Sequence, residues 1–88
     1  MNDADTKKIY QNYLDLWGTQ HPDKKITLDD FRVRLAAFES VIDPWITGEG
    51  SKEGAVRKFS KALGVKTYVG RMVFRVMFDA VDQVHPVT

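Results

Sequence analysis

Apolar residues recur along this chain with the period of a helix. Ile9, Tyr10, Tyr13, Leu14 and Trp17 fall at i, i+1, i+4, i+5 and i+8, so they share one face of a first helix. Asp3 or Asp5 is expected to cap its start, and Gly18 to stop it in a left-handed conformation. Residues 19–25 read as loop. Thr27 then opens a capping-box-like signal with Asp30 three residues on. Leu28, Phe31, Leu35, Phe38 and Ile42 follow at alternating spacings of three and four, a narrow seam that Val41 widens. Asp43-Pro44 is expected to end this second helix, because a residue before proline avoids the helical region.

Gly48, Gly50 and Gly54 make residues 48–54 the most flexible stretch of the sequence. Ser51 is expected to cap a third helix that turns Ala55, Val56, Phe59, Ala62 and Leu63 inward. Gly64 should stop it, with Val65 packing back in a Schellman arrangement. Thr67 is expected to cap a fourth helix reaching about Gln83. The run Met72 to Phe78 is rich in strand formers, but Arg71, Arg75, Asp79 and Asp82 recur every three to four residues. That leaves Val69, Met72, Val73, Val76, Ala80 and Val81 for the opposite face, with Phe74 and Phe78 on its flank. A period of 3.6 accounts for this better than a period of 2. The pattern predicts a single all-α domain over residues 1–88, a compact bundle of about four helices with the N-terminal pair against the C-terminal pair. A short tail over 84–88 completes it.

The 88 residues are 43% hydrophobic and 28% charged, which excludes disorder and a multidomain plan. There is no cysteine, so disulfides and thiolate metal sites are excluded. No apolar run approaches the length of a membrane span, and the acidic start is unlike a secretory signal. A cytoplasmic protein that does not associate with membranes is the expectation.

The net charge of +1 conceals a strong asymmetry. Residues 1–51 carry six Lys/Arg and nine Asp/Glu, whereas residues 52–75 carry seven cations against Glu53 alone. The cations are Lys52, Arg57, Lys58, Lys61, Lys66, Arg71 and Arg75. A local excess of that size attracts phosphates or an acidic protein surface.

Residues 56–73 resemble the helix-turn-helix unit of phage-type repressors. Ser60 stands as the small residue of the first helix and Leu63-Gly64-Val65 as the turn. Gly70 occupies the position that such units fill with Val or Ile, and Val69 comes one step before it. The resemblance implies that Lys66, Thr67, Tyr68 and Arg71 face a DNA groove while Arg57, Lys58 and Lys61 neutralise phosphates, with Lys52 and Arg75 extending the surface.

Other chemistry is poorly served. The glycine cluster lacks both a preceding strand and a Gly-Lys-Ser/Thr sequence, so it is not read as a nucleotide cradle. His21 and His85 have no partner at metal-ligand spacing. Ser40, Ser51 and Ser60 have no base with which to form a nucleophilic site. No enzyme activity, cofactor or metal is expected.

Two binding functions remain. The first is a small nucleic-acid-binding or regulatory protein acting on double-stranded DNA or another polyanion. The second is a protein-interaction module, an inhibitor or adaptor, that binds a partner or forms a homodimer. It would use Trp45 and the wide apolar face of the last helix, through Val73, Phe74 and Phe78.

Overall fold

The structure, a computed structural model, describes residues 2–86. Among them are four helices: α1 (Asp3–Leu16), α2 (Leu28–Ile46), α3 (Lys52–Leu63) and α4 (Thr67–Asp82), with a 3-10 turn at Pro22–Lys25 and no strand. The expected all-α bundle is present. The Cα radius of gyration is 12.3 Å, against about 12 Å for a compact chain of this length. The last two residues of the expected tail, Val87 and Thr88, lie outside the described residues.

The helix ends follow local chemistry, with corrections. Asn2, rather than Asp3 or Asp5, caps α1 by accepting from the Asp5 amide at 2.8 Å. The two aspartates instead sit in the first turn, where the helix dipole favours them. Gly18 is not the left-handed stop, since positive φ occurs at Gly48, Gly50 and Gly64. Trp17 ends α1 by turning extended, which carries its indole into the core and onto the His21 ring, 3.9 Å away. Thr27 caps α2 as expected, accepting from the Asp30 amide at 3.2 Å.

Proline does not end α2. Its missing N–H costs the hydrogen bond to one carbonyl a turn earlier, yet the helix continues to Ile46. Trp45 packs its ring 6.3 Å from Phe74 and 6.0 Å from Phe78, which favours the extra residues. Thr47 donates to the Asp43 carbonyl and the Glu49 amide to the Pro44 carbonyl, closing the end. Here tertiary packing outweighs the local preference.

Ser51 caps α3 as expected, accepting from the Gly54 amide. Gly64 takes φ 70°, and the amides of Gly64 and Val65 return to the carbonyls of Lys61 and Ser60. That is the Schellman pair. Val65 nevertheless stays exposed instead of packing back. Thr67 is the first helical residue of α4 rather than its cap, and the Lys66 position before it supplies no side-chain cap.

The core is one cluster. Phe38 lies at its centre, with ring centroids of Phe74 and Phe59 at 5.2 and 6.1 Å. α1 packs chiefly on α4 and α2 chiefly on α3, so the N-terminal pair does lie against the C-terminal pair. The buried stripe of α4 runs through Gly70, Val73, Phe74, Met77, Ala80 and Val81. Met72, expected inward, is 48% exposed, and Ala62 of α3 is also outside.

The reason is a close crossing of α3 and α4. A Cβ on Gly70 would stand 1.7 Å from Ser60 Oγ and 2.9 Å from Ser60 Cα. Only glycine allows the backbones to meet there, and the contact fixes which face of α4 turns inward.

The connection from α1 to α2 is tied down by polar groups. Tyr10 donates to the Ile26 carbonyl at 2.6 Å and Lys24 Nζ to the Leu14 carbonyl at 2.9 Å. The Tyr13 hydroxyl donates to Asp23 at 2.8 Å, and Arg34 donates to both. Burial, reinforced by the hydrogen bond to Asp23 and its charge, pushes the Tyr13 phenol well above its ordinary value of 10.0. Burial works against the Arg34 charge, but Tyr13 and Asp23 hold it above its usual range.

The fold therefore favours the neutral phenol. That contribution is complete below the unfolded value of 10.0 and is lost as pH rises through and beyond it. Urea unfolding from pH 8 upward is expected to show stability falling above about pH 10, with a shallower fall in Tyr13→Phe. An equal fall in both proteins would contradict the assignment.

Candidate nucleic-acid interface

The cations of residues 52–75 are all exposed. Helix periodicity divides them, because successive residues are rotated by about 100°. Arg57, Lys58 and Lys61 lie on the outer face of α3, opposite its buried stripe of Ala55, Val56, Phe59 and Ser60. Lys58 also borders a small depression beside Pro44, Trp45 and Glu49 at the end of α2. An ammonium is favourable there, near the carbonyl end of a helix.

Lys52, Arg71 and Arg75 meet along a cleft of about 660 Å³ between the end of α2, α3 and α4. Trp45, Val56, Phe74 and Phe78 contribute its apolar surface, and Glu53 and Asp79 share its rim. The cleft joins residues from both candidate sites. Val73 and Phe74, however, are only 4% and 1% exposed; Phe74 underlies the cleft, whereas Val73 does not border it. Trp45 and Phe78 are half-buried and remain partly accessible.

Tyr68 shares the outer face of α4 with Arg71 and Arg75, about 60° and 20° away around the helix axis. It is 63% exposed and borders a second depression with Trp17, His21, Val65 and Val69. Met72 borders both depressions and forms the ridge between them. Lys66 and Thr67 stand at the exposed start of α4, where no acidic residue occupies the first turn. The uncompensated amides of a helix start attract anions.

Glu53 was not among the expected site residues. It bridges the helices, accepting from Arg71 of α4 and lying 3.9 Å from Arg57 of α3. The spacing of Glu53 and Arg57 is visible in the sequence as an i,i+4 pair. The contact with Arg71 exists only once α3 and α4 have packed. Among the described residues no cluster of three His, Asp or Glu side chains is arranged to hold a metal ion, and no helix is long and apolar enough to cross a membrane.

Comparison with protein-family models, curated proteins and solved structures found no match.

Proposed function

We propose that this chain is a small, non-enzymatic nucleic-acid-binding protein that holds a phosphate backbone against the outer faces of α3 and α4. The observation that carries this reading is the exposure of all seven cations of residues 52–75, a stretch in which Glu53 is the lone carboxylate. Counterion release on neutralising several phosphates supplies the driving force. Arg57, Lys58 and Lys61 neutralise phosphates. Lys66, Thr67, Tyr68 and Arg71 approach backbone and bases from the open start of α4, and Lys52 and Arg75 extend the positive surface.

The close packing of α3 and α4 around Ser60 and Gly70 suits a helix-turn-helix-like unit presented to duplex DNA. A regulatory role is the natural use of such a unit.

A protein partner is the second reading, favoured by the half-buried Trp45 and Phe78 in the basic-rimmed cleft. Salt separates the two, since an apolar interface responds weakly to ionic strength. Retention of a short mixed-sequence duplex is expected to fall with a log–log slope of about −3 or steeper as salt rises. Lys58→Glu combined with Lys61→Glu is expected to abolish retention in a gel-shift assay while circular dichroism stays unchanged. Unchanged retention, or binding indifferent to salt, overturns the nucleic-acid reading.

A further inference from the structure

We infer that the Glu53 carboxylate fills a phosphate subsite between α3 and α4 and competes with the incoming nucleic acid for it. The inference rests on the proposal that these helices bind a phosphate backbone, and it names where one phosphate sits and what must leave.

Glu53 Oε1 is the oxygen that Arg71 donates to, and the same oxygen lies 3.9 Å from Arg57 Nε. Two guanidinium groups from two helices thus converge on one acceptor position, and planar N–H forks of this kind suit a phosphate as well as a carboxylate. Lys52 and Arg75 line the adjoining cleft and add positive charge to the same place.

The occupant is held loosely. The Glu53 and Arg71 side chains are 47% and 51% exposed and that of Arg57 is 72% exposed. Exposed pairs contribute little and exchange readily. A backbone phosphodiester carries the same single negative charge and pair of acceptor oxygens as the carboxylate, so it can take over the same N–H donors, and the release of counterions from the nucleic acid favours the exchange. Among the described residues Arg71 is the one side-chain hydrogen-bond donor to Glu53. Once displaced, Glu53 remains beside the bound phosphate as a like charge, which lowers affinity. Glu53 is therefore a built-in counter-ion that weakens binding and makes weak anions poor competitors.

The test is Glu53→Gln, which keeps the side-chain length and removes the charge. Glu39→Gln makes the same change in net charge on α2, away from this site. In low salt, Glu53→Gln is expected to bind the short duplex about three- to tenfold more tightly than the unaltered protein, with Glu39→Gln well below that gain. In an Arg71→Ala background the gain is expected to disappear, while circular dichroism shows every variant folded.

If the unaltered protein retains the duplex and Glu53→Gln is no tighter, the subsite is wrong and the α3–α4 reading stands. A gain matched by Glu39→Gln, or one that survives Arg71→Ala, reports general charge and also overturns the subsite. Absence of duplex binding by both the unaltered protein and Glu53→Gln overturns the reading and the inference together.

Discussion

Gly70→Ala is expected to destabilise this protein by about 2–4 kcal/mol, although glycine-to-alanine changes inside helices ordinarily stabilise by about 0.5–1 kcal/mol. The reversed sign comes from one contact. The added methyl would lie 1.7 Å from Ser60 Oγ, 2.6 Å from its Cβ and 2.9 Å from its Cα. The first of these clashes belongs to a side chain that can turn, but the other two belong to atoms that move only with α3. Ser60 is itself buried, and its hydroxyl donates to the Val56 carbonyl at 2.8 Å. Ser60→Ala is therefore expected to give little rescue. The helices must separate, loosening Phe59 and Phe74, whose rings are 5.7 Å apart. Thermal denaturation measures the effect: a fall in Tm of at least about 10 °C is expected for a domain this small. An unchanged or raised Tm would mean that α3 and α4 do not cross at Ser60 and Gly70.

Asp23→Ala should cost about 2–4 kcal/mol, more than the removal of a surface carboxylate. Asp23 is the acceptor for both the Tyr13 hydroxyl and the Arg34 guanidinium, at 2.8 and 2.7 Å. Its side chain is 15% exposed and that of Arg34 27%, so solvent cannot fully replace the lost partner. Removing the carboxylate leaves a partly buried positive charge whose nearest remaining acceptor is a neutral phenol, at 3.1 Å. Asp23→Asn keeps an acceptor oxygen and should lose less. Chemical denaturation of the two variants checks the order, and equal losses would show that the charge on Asp23 is immaterial.

Much of the fold was legible because helical periodicity was present in every segment. The seams of α1 and α2, the Ser51 and Thr27 caps and the left-handed stop at Gly64 depend on neighbours in sequence and appear as expected, although Val65 does not pack back. The departures arise where a distant contact decides. Pro44 is carried inside α2 by the packing of Trp45 on α4. Met72 and Met77 differ in burial because Ser60 sets the rotation of α4, and composition within α4 holds no record of Ser60.

The candidate surface divides in the same way. The charge asymmetry of residues 52–75 is a property of sequence and survives as exposed cations, divided among the outer face of α3, the cleft and the start of α4. The placement of Tyr68 beside a depression that α1 helps to line, and the reach of Glu53 to Arg71, depend on packed helices. Tyr13, Asp23 and Arg34 come from a helix, the 3-10 turn and a second helix, so no local pattern joins them.

The interlock of Ser60 with Gly70, together with the short turn at Gly64-Val65-Lys66, makes α3 and α4 a rigid ruler. The main-chain distances among their charged positions are set by the fold, and under the proposed nucleic-acid reading binding would order side chains without an added cost for ordering the main chain. On that reading the same stiffness would make the surface selective. A phosphate spacing that missed the ruler would not be accommodated by sliding one helix along the other.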